Sequence, residues 1–335
     1  MHKKTMSLLF LSLLVMGTAL TVSSNSWLGV WVGLEINLMA FIPMMKSKNP
    51  VVNETSIKYF MIQAMASIMI MFSLLSMQSN LMMMKESMIM IILSSLLLKL
   101  GVAPFQFWFI EVMSMSSWMN CMILMTWQKI APLAVMSYCL KNNIMMLMLI
   151  MLSIMIGGIG GLNHLSIRVI MSYSSVSHSG WMMSSMLLSD TMWELYFLVY
   201  STMTVALTLM FNKMKVFHLN NLFNSMNKNK LSKYLLMLSF LSLGGLPPFL
   251  GFLTKWMIIQ LMIKSSMTAM ASVMVWMNMI TLYYYMKILF SASIIMNTEN
   301  KWSTKMEIPS NMSLMTIFNL INLGLMTSPI LMFTM

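Results

Sequence analysis

Eleven apolar stretches follow one another along this chain, at about 5–24, 26–45, 57–79, 88–110, 119–140, 143–162, 166–188, 192–212, 233–263, 267–292 and 312–333. A hydrocarbon layer about 30 Å thick takes a helix of roughly 20 apolar residues, so each stretch has the length of a membrane span. None alternates apolar and polar residues as a barrel strand does. The 335 residues include 20 basic and 8 acidic side chains, or 8% charged, where a soluble domain carries roughly a quarter. So few charges cannot cover a water-facing surface. A soluble enzyme, a disordered chain and a secreted disulfide scaffold are excluded, and the expected fold class is all-α and polytopic. The first stretch is too long and too closely followed by the second to be a cleaved signal. It also lacks the Arg- and Ser-rich pattern of a transit peptide.

A net charge of +12 suggests nucleic acid in a soluble protein. Here the loops explain it. Alternating loops put Lys3, Lys4, Lys46, Lys48, Lys58, Arg168, Lys213, Lys215, Lys228, Lys230, Lys233, Lys287, Lys301 and Lys305 on the N-terminal side. Only Lys85, Lys141 and Lys264 fall on the other, which makes the count 14 against 3. The positive-inside rule then places the N-terminus in the cytoplasm-equivalent compartment and the C-terminus opposite. The longest polar connection, 213–232, reads as a solvated or headgroup-facing loop, with docking of partner subunits as its alternative.

Three basic residues remain inside spans: Lys99, Lys129 and Lys255. Of the acidic residues only Glu35 is at mid-span. Each such charge costs about 2.5–3.5 kcal/mol to insert. One carboxylate cannot pair three ammoniums, so the group reads as functional rather than as ion pairs locking helices. Lysine suits proton chemistry: leaving water favours a neutral amine, a nearby carboxylate favours the ammonium, and moving one against the other loads or unloads a proton. A channel that only attracts cations would favour acidic rings.

Helix breakers cluster beside these lysines. Pro104 and Pro132 follow Lys99 and Lys129 closely, and a proline frees the carbonyl four residues earlier, here those of Leu100 and Gln128. Gly244, Gly245, Pro247, Pro248 and Gly251 precede Lys255. The fourth and ninth spans therefore resemble each other, each with a broken helix and a midplane lysine. An odd number of spans apart, they cross in opposite directions, as inverted repeats do.

Other features carry less. His178, in the polar run from Met171 to Met182, is either a proton relay or a histidine hydrogen-bonded to a neighbouring helix. His164 reads as interfacial. Gly157 and Gly161 fit a close-packing motif, while GGIGG there is no dinucleotide fingerprint. Cys121 and Cys139, on one expected helix, would sit about 27 Å apart and cannot pair. No metal site is expected. The 52 methionines read as apolar filler in place of Ile and Leu, as a mitochondrial code reading ATA as Met would supply.

Several segments together resemble the NADH dehydrogenase subunit 2 family, the antiporter-like subunits of respiratory complex I encoded in mitochondria. They are NSWLGVWVGLEINLMAFIP around Glu35, KYFMIQAMAS from Lys58, KLGVAPFQFW from Lys99, TWQKIAPL around Lys129, MSYSSVSHSGWM around His178 and GGLPPFLGFLTKW around Lys255. The likeness covers essentially the whole chain and has an arthropod look. It implies that Glu35 and Lys99 form the family's glutamate–lysine pair, that Lys129 is the central lysine and that Lys255 is the lysine of the second broken helix. It also implies no cofactor in this chain, with NADH, FMN, iron–sulfur clusters and ubiquinone held by other subunits. Three positions depart from the pattern. Gln106 replaces a usual histidine, and Ile110 and Thr254 replace usual prolines.

The combined expectation is one transmembrane antiporter-like domain over 1–335, with about eleven helices. Two inverted five-helix repeats span about 5–140 and 143–292, followed by a C-terminal helix at about 312–333. Its function is that of a non-redox, proton-translocating subunit of NADH:ubiquinone oxidoreductase in the mitochondrial inner membrane, with the N-terminus in the matrix and the C-terminus in the intermembrane space. Its partners are neighbouring antiporter-like and small membrane subunits and membrane lipids, cardiolipin among them, and no nucleic acid. The alternatives are an independent cation/proton antiporter and a structural scaffold whose lysines lock assembly.

Overall fold

The computed structural model describes residues 2–47, 49–78, 85–139, 144–226, 230–247 and 249–291. Pro248, the stretch expected to span at 312–333, and Lys48, Lys141, Lys228, Lys301 and Lys305 lie outside them. Among the described residues the helices are α1 (His2–Ser23), α2 (Trp27–Met45), α3 (Pro50–Gln78), α4 (Lys85–Leu100), α5 (Phe107–Met115), α6 (Trp118–Met125), α7 (Trp127–Cys139), α8 (Ile144–Gly160), α9 (Ile167–Met186), α10 (Asp190–Met214), α11 (Leu219–Met226), α12 (Lys230–Gly244), α13 (Leu250–Lys264) and α14 (Thr268–Phe290). They fall into two compact units, Met1–Lys141 and Asn142–Met335.

Helix is the form an apolar chain takes where no water can satisfy its backbone. Among the described residues Thr5–Ser23, Trp27–Met45, Pro50–Met77, Asp190–Met214 and Thr268–Phe290 are long and apolar enough to cross a membrane. Ser87–Leu100 and Lys233–Gly244 are apolar but shorter, because α4 and α12 each stop at a break. Helix α9 differs in composition rather than length. It carries Ser172, Ser174, Ser175, Ser177, Ser179, Ser184 and Ser185, all buried. Each donates its hydroxyl to the carbonyl three residues earlier at 2.7–2.8 Å. The serines thereby satisfy themselves, and the helix is enclosed by α8, α10 and α13.

Small residues set the helix crossings. In the first unit, Gly17 of α1 and Gly33 of α2 meet, and a Cβ on Gly33 would lie 2.8 Å from the Gly17 carbonyl oxygen. In the second, a Cβ on Gly157 of α8 would lie 2.5 Å from the Ser177 backbone nitrogen of α9. Gly161 faces another neighbour, the Tyr284 ring of α14. The Gly157–Gly161 pair thus serves two crossings and not the single one its spacing suggested.

Several expectations change. The broken helix expected over 88–110 is α4 and α5 separated by residues 101–106, but Pro104 sits in that linker, after α4 has ended at Leu100. It therefore frees no carbonyl inside a helix. The stretch 119–140 is interrupted at Thr126, six residues before Pro132, where φ −112 and ψ −76 separate α6 from α7. Cys121 and Cys139 consequently lie on different helices, both buried and neither in a disulfide. The connection 213–232 contains the helix α11, and α3 begins at Pro50, before 57.

Gly157→Ala is expected to lower thermal stability in detergent by about 1–3 kcal/mol, the usual cost of overpacking. The atoms a new methyl meets are backbone and Cβ, which cannot swing aside. An unchanged melting temperature would refute this crossing.

Candidate functional site

The first broken helix ends with its carbonyls satisfied. Gly101, at φ +66, turns the chain out of α4. Its N–H donates to the Leu98 carbonyl at 3.2 Å, and the Val102 N–H donates to the Leu97 carbonyl at 3.2 Å. This is the Schellman arrangement, which wants glycine at the left-handed position. Two side chains from elsewhere complete the cap. The Trp108 indole N–H donates to the Leu98 carbonyl at 3.1 Å, and the Gln63 amide donates to the Lys99 carbonyl at 3.2 Å.

The second broken helix repeats this backbone. Gly245, at φ +79, donates to the Ser242 carbonyl at 3.2 Å, and Leu246 donates to the Leu241 carbonyl at 3.3 Å. Phe249 N–H then reaches the Leu246 carbonyl at 2.9 Å, as Phe105 reaches Val102 at 2.8 Å. Pro247 lies in the turn, the counterpart of Ala103.

The lysines approach the two breaks from opposite sides. Lys99 is in the last turn of α4, whereas Lys255 is on α13, after the break. Its ammonium reaches back to the open end of α12. It donates to the carbonyls of Leu243 at 3.4 Å and Gly244 at 3.2 Å, and to Asn278 Oδ1 of α14 at 2.5 Å. Three acceptors match the three hydrogens of an ammonium, and the carboxyl end of a helix is where a cation is favoured. The group also lies 5.9 Å from the Trp181 ring centroid of α9. Gly245 makes room for it, since a Cβ there would be 3.2 Å from Lys255 Nζ.

Lys99 and Lys129 line one cavity of ≈ 20 Å³ in the first unit, with Asn37, Tyr59, Gln63 and Gln128 among its walls. That volume holds about one water. Asn37 Oδ1 and Gln128 Nε2 are buried and without hydrogen-bond partners, an acceptor and a donor suited to such a water. The Tyr59 hydroxyl donates to Gln128 Oε1 at 3.5 Å. Lys129 Nζ lies 5.6 Å from the Phe109 ring centroid. Lys99, Lys129 and Lys255 are 7%, 2% and 5% exposed, so all three amines are withdrawn from solvent.

Glu35 is half-buried on α2 and stands outside that cavity. Among the described residues it makes no salt bridge with Lys99. The ion pairs of Lys58 with Glu54 at 3.4 Å and Glu111 at 3.3 Å are exposed. His178 is buried, and its Nδ1 is 2.8 Å from the Tyr196 hydroxyl. Its ring stands 5.0 Å from that of Tyr200. Gln106, where a histidine is usual, is buried with Oε1 lacking a hydrogen-bond partner. His164 is exposed and stacks on Tyr173 at 5.3 Å.

Asn37, Gln63, Gln128 and Asn278 were not singled out from sequence. Each is an amide inside an apolar helix, the signal that could have marked them. Among the described residues no three His, Cys, Asp or Glu side chains gather as a metal site would require.

Residues 24–281 match the family model described as NADH:quinone oxidoreductase/Mrp antiporter, transmembrane. The chain is 49% identical over 326 residues to NADH-ubiquinone oxidoreductase chain 2 of Locusta migratoria, covering 96% of this chain and 95% of that relative. It is 45% identical over 329 residues to the protein of the same name from Anopheles gambiae, covering 96% of each. A chain of respiratory complex I from Thermus thermophilus superposes with a TM-score of 0.85 at 19% identity, over 96% of this chain and 77% of that one. That likeness is one of fold, an all-helical antiporter-like membrane architecture.

The adjacent glycines at the second break separate conformation from space. Gly245→Ala is expected to cost about 1–3 kcal/mol through the left-handed backbone and the crowding of Lys255. Gly244→Ala, whose nearest neighbours would be 3.6 Å away, should be neutral or slightly stabilising. Thermal unfolding of both variants checks this, and equal losses would refute the assigned cap.

Proposed function

Since the chain belongs to the NADH:quinone oxidoreductase/Mrp antiporter transmembrane family, we propose that it is a membrane-arm subunit of proton-pumping NADH:ubiquinone oxidoreductase. It translocates protons and does no redox chemistry. NADH, FMN, iron–sulfur clusters and ubiquinone belong to other subunits. The chain sits in the mitochondrial inner membrane as eleven spans, with the N-terminus in the matrix and the C-terminus in the intermembrane space. Two inverted repeats, about 5–140 and 143–292, account for the matching caps at Gly101 and Gly245. Neighbouring antiporter-like and small membrane subunits cover its apolar flanks, with lipids including cardiolipin.

The observation that carries this reading is the sharing of one small polar cavity by Lys99 and Lys129. Two amines so enclosed repel strongly when both are charged, because little solvent screens them. A proton held on Lys99 by Glu35 therefore drives a proton off Lys129. When Glu35 withdraws, Lys99 releases its proton and Lys129 can reload. The charge state of Lys129 in turn biases Lys255, which discharges towards the exit or the next subunit. Pro104 and Pro247 lie in the linkers of the two glycine-capped breaks, and Pro132 lies inside α7. Glu35, Lys99, Lys129 and Lys255 form the relay, with His178 beside its second half.

Lys129→Met is expected to leave the assembled complex intact on a native gel while lowering protons pumped per NADH oxidised in inner-membrane vesicles. Normal assembly with a normal ratio would sink the relay. Loss of assembly with an unchanged ratio in the residual complex would favour a scaffold. Peptides of this chain in a small band without NADH dehydrogenase activity would point to a separate cation/proton antiporter.

A further inference from the structure

A line of polar side chains on α14 is not used by the relay. Asn278, Thr281 and Tyr285 recur at i, i+3 and i+7, one face of a helix, and Tyr284 adjoins the last. Lys255 is at one end of this line, bound to Asn278 Oδ1 at 2.5 Å. The Thr281 hydroxyl is buried, donates to the Asn278 carbonyl at 2.8 Å and lies 3.4 Å from the same Oδ1. One turn further, the hydroxyls of Tyr284 and Tyr285 are buried and without hydrogen-bond partners. Their rings meet edge to face at 4.6 Å.

The other end of the line opens on a bay of ≈ 400 Å³ at the end of the second unit. Tyr284 lines it together with Gly161, His164, Asn220, Lys287 and Ser291. His164, Asn220 and Lys287 are exposed, so its mouth is polar. The bay is held in shape by the loops around it: the Ile167 N–H donates to the Phe217 carbonyl at 3.0 Å, and the Leu219 N–H donates to the Leu165 carbonyl at 3.1 Å. Gly161 lets the Tyr284 ring lie against α8, where a Cβ would be 2.9 Å from the ring.

From this placement we infer that the second unit has its own proton intake, leading from the bay beside Lys287 through Tyr284, Tyr285 and Thr281 to Lys255. It rests on the relay reading, for which Lys255 is the acceptor. A hydronium in the bay gives a proton to the Tyr284 oxygen as the proton already there moves through a bridging water to Tyr285. Tyr285 passes its proton through a second bridging water to Thr281, and Thr281 passes its own, likewise across a water, to the neutral Lys255 amine. Each hydroxyl ends with one proton and the same charge it began with. The net change is one proton taken from the bay and one ammonium formed. Rotation of the hydroxyls, or a bridging water, resets the line between passages. Asn278 Oδ1 lies beside both of the last two members, and Asn278 is a positioning residue.

The test uses the assembled complex in inner-membrane vesicles, with protons pumped per NADH as the readout so that turnover rate cancels. Tyr285→Phe and Thr281→Val remove the hydroxyl and retain the shape. Each should lower the ratio to that of Lys255→Met, and adding either to Lys255→Met should lower it no further. Thr281→Ser should restore the full ratio. If both hydroxyl variants keep the full ratio while Lys255→Met lowers it, the relay stands and this intake is wrong. If Lys255→Met keeps it too, both fall. Failure of Thr281→Ser to restore the ratio would trace the loss to packing and overturn the intake.

Discussion

A membrane helix can stop in mid-bilayer only if its last carbonyls find donors within the protein. Hydrocarbon offers none, and each unmet group costs several kcal/mol. That requirement governs the two breaks on which the rest of this molecule depends. At both, a left-handed glycine folds the backbone over its own end, with Gly101 and Gly245 each donating to the residue three earlier. The carbonyls left over become binding groups. After α4 they are taken by Trp108 and Gln63. After α12 they are taken by Lys255.

The difference between the two ends explains how three lysines coexist with one buried-span carboxylate. Lys255 needs no acidic partner, because two peptide oxygens at the end of α12 and the Asn278 amide oxygen of α14 accept all three of its hydrogens. Lys99 and Lys129 share one small cavity with Asn37, Gln63 and Gln128 in its walls, and Lys129 has an aromatic ring beside it. The amines thus have different surroundings, a helix terminus for Lys255 and a cavity for the other two. Their protons are correspondingly distinct in how they are held. A relay needs that inequality, since identical sites would give a proton no direction.

The serine-rich α9 shows why polarity in a membrane segment is a poor guide to water. Its hydroxyls bond back to their own helix, leaving a surface of small groups against which α8 crosses closely. His178 then lies among tyrosines, bonded to Tyr196. By contrast Asn278, a lone amide in an apolar helix, sits at the contact point of Lys255 and Thr281. Isolated amides were the better signal, because an amide cannot satisfy all its hydrogens on its own helix.

The amino-acid sequence alone determined the class of molecule, since the scarcity of charge and the span-length apolar runs admit little besides a helical membrane protein. It also marked Lys99, Lys129, Lys255 and Glu35, because a charge inside an apolar run stands out in one dimension. It marked the break before Lys255, where α12 ends at Gly244, but not the positions of the other two. The proline at 104 falls after its helix has ended, and the interruption at Thr126 carries no breaker residue. Nor did it show that Lys255 reaches back to α12, that Lys99 and Lys129 share a cavity, or which amides stand beside them. Those are contacts between residues up to about a hundred positions apart, such as Leu34 and Pro132 around one cavity. Only the tertiary structure decides them, because a helix fixes which residues share a face and leaves open what that face meets.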